Sequence, residues 1–250
     1  MSEMRTGVLS IVRRGLRAGW SRSQRLLGRG RPPRVEKDYA SHLPVLLGLA
    51  RIFDLRSVLE FGCGYFSTLA FLDRSAFPAL TTLCSFESDA AWLARVEELV
   101  GSDLRLQTRL VGEPMETVLG ELSPCAYDLV FVDHSTDGAK RAATIRALAG
   151  WCADSSLVVM HDFEAELYQK SASAFPQRFE FRALNPSTGL AWKRTSVDRQ
   201  RLKFLNHAIR RHSKRLAPDD RAGWVGVFDS TPGLTRNKSY NPAILVNQNT

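Results

Sequence analysis

Cysteine is scarce in this chain of 250 residues. The four present, Cys63, Cys84, Cys125 and Cys152, are widely spaced. That spacing gives neither a disulfide framework nor a zinc-ligand pattern, and it reads as reduced thiols in a reducing compartment. Long apolar runs are also missing. No stretch of about 18 apolar residues occurs, so no transmembrane helix is expected. No internal repeat is visible, which argues against a solenoid or propeller. An apolar content of 44% nevertheless supplies a real core and excludes wholesale disorder.

The net charge of +8 is unevenly distributed. Residues 1–37 hold ten basic and two acidic side chains, and residues 193–215 hold nine and one. Between them, residues 38–192 hold 12 basic and 20 acidic side chains. The chain is therefore an acidic middle with a basic leader and a basic stretch behind it. Three parts follow: a basic amphipathic leader (1–37), a ligand-binding α/β domain (38–195), and a basic helix with a C-terminal extension that packs on the domain (196–250).

In the leader, Val8, Val12, Leu16 and Trp20 recur every four residues, with Arg13 and Arg14 on the other side. Arginines after a short apolar run argue against a secretory signal. The pattern suits a solvated tail or a helix lying on an anionic membrane surface; an organelle transit peptide is the minor alternative. The expected place is the cytoplasm, peripheral to a membrane.

From residue 38, strand-like and helix-like runs alternate. Ser41 is expected to cap a helix over 41–53. Strands are expected over 57–61, 80–86, 104–111, 128–132 and 156–160. Helices are expected over 67–74, 89–100, 116–122, 139–151 and 165–174. This alternation gives βαβ units and a Rossmann-like, doubly wound, mostly parallel sheet. Residues 179–184 and 190–194 form two more strands, joined by Asn185-Pro186-Ser187-Thr188-Gly189. Five turn-forming residues cannot hold a crossover helix, so these strands pair antiparallel and close a seven-stranded sheet with a hairpin. A helix over 196–216 and an extra strand over 224–228 complete the expectation.

The sharpest local feature is Glu60-Phe61-Gly62-Cys63-Gly64, where a strand runs into a glycine turn and then a helix. Gly62 permits the turn, and Gly64 permits close approach of a ligand. The helix start at Ser67 and Thr68 offers amide donors. A dinucleotide fingerprint would have a third glycine at position 67, where Ser67 stands. Glu60 would oppose a pyrophosphate but welcome a cationic amino acid group. Glu87, at the end of the second strand, is placed to accept two ribose hydroxyls. Adenosine joined to a cationic amino acid is S-adenosylmethionine.

On these residues the chain resembles the class I S-adenosylmethionine-dependent methyltransferases. The likeness continues in Val111-Gly112-Glu113-Pro114-Met115-Glu116, in the run from Tyr127 to Asp133, and in the closing hairpin from Thr188 to Arg194. It spans residues 57–194. The resemblance implies that Glu113 meets the adenine amino group. It implies a cofactor set of Glu60, Gly62, Gly64, Ser67, Glu87, Glu113 and Asp133. The family's third glycine is replaced here by Phe66.

Two polar groups crowd the expected strand ends: Asp133-His134-Ser135 and His161-Asp162-Phe163-Glu164. Methyl transfer to a hydroxyl needs alignment and removal of a proton. His134 and His161 are the candidate bases, with Asp133 beside them. The alternative is a divalent cation that lowers the hydroxyl pKa. Both strand ends resemble the metal-bearing ends of catechol-type O-methyltransferases. That likeness implies Asp133, Asp162 and His161 as ligands, with His161 where the family has aspartate. The family's base lysine is replaced by Thr136, and Lys140 is the nearest lysine.

The expected activity is O-methylation of a small molecule or glycan hydroxyl, with the basic segments serving an anionic membrane surface. The competing readings are an RNA-directed methyltransferase, with Trp20 and Trp192 stacking on bases, and a non-catalytic cofactor-binding module. A Pro-Pro-aromatic run, usual in methyltransferases that act on the amino groups of nucleic-acid bases, is absent after Asp133.

Overall fold

The computed structural model describes residues 37–112, 114–194 and 197–234, and the chain divides into two units, 1–35 and 36–250. The leader helix, the linker over 29–34, Glu113 and the tail from Thr235 lie outside the described residues.

Seven strands form one sheet: β1 (Ser57–Phe61), β2 (Thr82–Glu87), β3 (Leu106–Leu110), β4 (Leu129–Val132), β5 (Leu157–His161), β6 (Gln177–Phe181) and β7 (Thr188–Trp192). Their order is β3-β2-β1-β4-β5-β7-β6. β7 is antiparallel to both neighbours, and the pairs from β3 through β5 are parallel. The doubly wound sheet and its closing hairpin are as expected. The second hairpin strand, not the first, lies beside β5, and burial explains the order. All five residues of β7 are buried, whereas β6 keeps Gln177 and Arg178 exposed at the edge.

Alternation along the central strands divides the core in two. Val58, Leu83, Leu129, Phe131, Leu157 and Val159 face helices α1 (Leu43–Ile52), α6 (Arg199–His212) and α7 (Arg221–Ser230). Leu59, Phe61, Phe86, Val130, Val132, Val158 and Met160 face α4 (Gly138–Trp151) and α5 (Glu166–Ala172). Both faces are thus covered, as parallel strands require. The short α2 (Ser67–Leu72) follows β1, and α3 (Ala90–Val100) follows β2, with Asp89 capping its first turn.

Every residue of α1 except Arg51 is buried, so the helix lies wholly inside the first layer. Gly48 makes room for α6: a Cβ there would stand 2.2 Å from Leu205 Cδ1. The basic helix packs through Leu202, Leu205, Ala208 and Ile209, and Asp198 caps its start. It shares the core of the α/β domain.

Two local expectations fail. Ser41 does not cap α1, because residue 42 occupies the cap position without a side-chain bond and the Ser41 hydroxyl is engaged elsewhere. Residues 224–228 are not a strand but the body of α7. Asp220 accepts from the Gly223 amide and starts the helix. Trp224 and Phe228, four apart, are fully buried and stack with centroids 5.7 Å apart. A spacing of four keeps two side chains on one face in a strand as well as in a helix, so the cap decides.

Candidate active site

The strand order reverses between β1 and β4, and ligands on such sheets lie at the carboxyl ends of the strands beside this point. Gly62 and Asp133 follow those two strands. Gly62 has φ +89°, and a Cβ on it would lie 2.7 Å from the Asp133 carbonyl and the His134 backbone. Only glycine lets the two loops close on each other here.

Glu60 is fully buried. Its Oε2 accepts from Thr68 Oγ at 2.8 Å and from Ser85 Oγ at 2.5 Å, while Oε1 is buried without a hydrogen-bond partner. Burial pushes its pKa up to about 7, against the lowering effect of the hydroxyls of Ser67, Ser85 and Thr68. Glu87 sits one strand away. Its Oε1 accepts from the Ser88 and Asp89 amides at 2.7 and 3.0 Å, and its Oε2 lies 3.8 Å from Cys63 Sγ. The Gly64 amide is taken by Thr68 Oγ at 2.9 Å. A Cβ on Gly64 would meet Ser67 Oγ at 3.6 Å, an ordinary contact. Trp92, packed on Tyr65, donates to the Cys63 carbonyl at 2.7 Å and so pins the turn. Glu113 lies outside the described residues.

The two polar loops meet at Asp133. Its Oδ1 lies 3.2 Å from His161 Nδ1 and 3.2 Å from Arg141 Nη2; its Oδ2 lies 3.9 Å from His42 Nδ1. Burial works to raise the Asp133 pKa, but His161, Arg141 and His42 outweigh it and hold the carboxyl below its ordinary value. Burial likewise works to lower His161, and Asp133 and Asp162 outweigh it and raise the imidazole above its ordinary value.

The bonding pattern gives the same protonation state. The Ser41 hydroxyl has one proton and donates it to the Pro186 carbonyl at 2.8 Å. It must therefore accept from His161 Nε2, at 2.8 Å. The other ring nitrogen faces a carboxylate that only accepts. Both nitrogens of His161 donate, so the ring is an imidazolium and keeps no lone pair for a base or a ligand. His134, the other expected base, is buried with its Nε2 on Thr144 Oγ at 2.9 Å. His42 is the neutral histidine of the group. Burial chiefly, then His161, takes its pKa down to about 3, and neither of its nitrogens has a hydrogen-bond partner.

Arg141, in the first turn of α4, holds both loops. Nε donates to the His134 carbonyl at 2.7 Å, Nη2 to the Ser135 carbonyl at 2.8 Å, and Nη1 to Asp162 Oδ2 at 2.7 Å. Its guanidinium carbon lies 5.4 Å from the Tyr168 ring centroid. Ser135 and Asp162 both have left-handed backbones, φ 59° and 55°, which are strained for non-glycine residues. The arginine spans exactly the two loops that carry this strain.

In the expected metal set of Asp133, Asp162 and His161, His161 Nδ1 lies 3.2 Å from Asp133 Oδ1 and 3.6 Å from Asp162 Oδ1, but as a donor rather than a ligand. Asp162 is turned to Arg141, and His161 has no lone pair. Among the described residues, the group close enough to share an ion is His42, Asp133 and His161, with donor atoms within 4.8 Å of one another. Its histidine 161 would have to lose a proton first. The residues present therefore do not fit a divalent cation.

The sequence reading missed Ser41, His42, Trp92 and Arg141. Ser41 and His42 look like an ordinary helix start, and topology alone brings them to β5. Arg141 carries a readable signal, since an arginine in the turn after Asp133 and Asp137 can fold back on the loop it follows.

Comparison with known proteins accords with this architecture. Residues 59–163 match the family described as "Methyltransferase domain". No curated protein matches the chain. Among solved structures, human methyltransferase-like protein 13 in complex with SAH is 13% identical, covering 72% of this chain and 93% of that one with a TM-score of 0.51. Spermidine synthase from Thermotoga maritima is also 13% identical, covering 77% and 75% with a TM-score of 0.51. An O-methyltransferase family protein from Burkholderia thailandensis is 11% identical, covering 64% and 59% with a TM-score of 0.46. At these identities the likeness is one of fold. Residues 59–163 are thus similar to a methyltransferase domain, and the doubly wound sheet has the Rossmann-like fold of the human methyltransferase-like structure.

Proposed function

We propose that the protein transfers a methyl group from S-adenosylmethionine to a hydroxyl of a small molecule or glycan. The observation that carries the cofactor half is Glu60: a buried carboxylate with one oxygen left unsatisfied, beside a glycine turn whose second glycine is only half-buried. An ammonium group is the natural partner of that oxygen. Glu87 retains Oε2 for a ribose hydroxyl.

When bound, S-adenosylmethionine supplies an electrophilic methyl on a sulfonium. Asp133 is the residue of the acceptor side. Arg141 and His161 fix its Oδ1, and its other oxygen is free to accept a hydrogen bond from the acceptor hydroxyl. Methylation by the bound cofactor would make the acceptor hydroxyl strongly acidic. An ionised carboxylate of low pKa then suffices to take its proton, which passes on to water. His161 orients Asp133 and does not take the proton itself.

The basic segments fit attachment to an anionic membrane surface. On α6, Lys203, Phe204, Arg210 and Arg211 are all exposed while the apolar stripe is buried, an arrangement suited to a lipid headgroup layer. Among the described residues, no helix is long and apolar enough to cross a membrane. The RNA reading loses one of its stacking residues, because Trp192 is buried in β7 with Arg199 over its ring.

Calorimetric titration with S-adenosylmethionine tests the core of the proposal. Wild type binds with one site, and Glu87→Ala weakens binding strongly. Equal affinity in the two proteins, or no binding by either, overturns it. Sedimentation with anionic vesicles and with RNA, at increasing salt, separates the two surface readings.

A further inference from the structure

Asp133 and Asp162 end neighbouring strands, and the resemblance assigns them to a divalent cation. The structure puts a side chain between them. We propose that the Arg141 guanidinium is a built-in replacement for a divalent cation, neutralising Asp133 and Asp162 from within the protein so that the site takes up no metal ion.

Four observations carry this. First, one guanidinium reaches both carboxylates, at 3.2 Å from Asp133 Oδ1 and 2.7 Å from Asp162 Oδ2. Second, it cannot swing away cheaply. Its remaining donors are committed to the His134 and Ser135 carbonyls, and its planar fork fixes all these bonds together. Third, Arg141 is 6% exposed, so an ion arriving from solvent would have to displace a buried positive charge. Fourth, His161 adds a second cation with both nitrogens donating. Two carboxylates stand against two cations, and the group is balanced before any ion arrives.

Arg141 is thus a positioning residue. It holds the Asp133 loop and the Asp162 loop in their strained left-handed turns and leaves Asp133 Oδ2 for the acceptor. The placement of Asp133 rests on the proposed function, but metal uptake can be read without any turnover.

The test uses the full chain, stripped of metal and titrated with Mg2+, Mn2+ and Zn2+ by calorimetry, with Mn2+ also followed by electron paramagnetic resonance. Wild type should show no saturable site that Asp133→Asn abolishes. Arg141→Met leaves Asp133 and Asp162 with the His161 imidazolium as their only neighbouring cation among the contacts described, and should gain such a site. At a hundredfold excess over its Kd, the ion should raise the variant's Tm by roughly 5–10 °C and leave wild type unmoved. Arg141→Lys keeps the charge and should gain nothing. A wild-type site lost in Asp133→Asn overturns the proposal, as does a folded Arg141→Met that gains none. If Arg141→Met does not fold, the wild-type titration decides alone. Binding of S-adenosylhomocysteine to the same samples reports separately on the cofactor assignment.

Discussion

Replacing Glu60 with glutamine should abolish the pH dependence of stability at one buried position. Glu60 has its pKa raised from 4.5 to about 7 by burial. The folded protein holds this proton more tightly than the unfolded chain does. Its contribution to stability is full below pH 4.5 and is lost as pH rises through 7. A difference of that size corresponds to about 3 kcal/mol between the two ends of the window. Glutamine cannot ionise, so the variant lacks this loss. Its amide places a donor where Oε1 has no partner, at a constant cost of about 1–2 kcal/mol. Glu60→Gln should therefore be slightly less stable than wild type at pH 5 and more stable by about 1–2 kcal/mol at pH 8. Urea denaturation at intervals between those pH values measures the crossing. Cofactor binding should move the opposite way. The ammonium requires the ionised carboxylate, so wild-type affinity should fall about tenfold per pH unit below 7, and the variant should bind weakly with no such slope. Parallel stability curves for the two proteins would refute the protonation argument. Equal cofactor affinity would refute the placement of the ammonium.

Other outcomes follow from the same geometry. Asp133→Asn should lower kcat by about 10²–10⁴ while S-adenosylmethionine still binds, measured by turnover and calorimetry on one preparation. Gly62→Ala should destabilise the fold by more than about 2 kcal/mol in urea, because its Cβ meets backbone at 2.7 Å in a left-handed turn. Ser41→Ala removes the acceptor of His161 Nε2–H, so the imidazolium should lose its proton at lower pH than in wild type, followed by NMR of the ring. Across a series of acceptors of similar shape, rate should rise with hydroxyl acidity, phenols ahead of aliphatic alcohols.

The fold was largely legible because its signals are local. Short Val- and Leu-rich strands between helices define the parallel sheet, and the short connection between the last two strands, residues 182–187, leaves room only for antiparallel pairing. The glycine turn and both acidic strand ends were also visible, since each is a few contiguous residues. What could not be read is what distant segments do to each other. Ser41 lies 120 residues from His161, and no local pattern distinguishes a capping serine from one that accepts an imidazole proton. The same holds for Arg141, which looks like one more charge on a helix until the loops fold around it. The pair Trp224 and Phe228 failed differently: their spacing serves a strand or a helix equally, and the deciding signal was the aspartate before them.

Charge balance links these findings to the chemistry. A divalent cation beside the acceptor would ionise its hydroxyl in advance, but it would also stand near a sulfonium of the same sign. The Asp133, His161, Arg141 and Asp162 group avoids that repulsion, since two negative and two positive side chains neutralise one another within hydrogen-bonding distance. The cost is that nothing lowers the hydroxyl pKa beforehand. Under the proposed function the acceptor would enter neutral, and its proton would leave only as the carbon–oxygen bond forms, to the one carboxylate oxygen that neither Arg141 nor His161 engages. Catalysis then depends on alignment and on the acceptor's own acidity. That is why a strained, arginine-clamped pair of loops is worth keeping: it fixes the position of Asp133 Oδ2, the one quantity such a site can control.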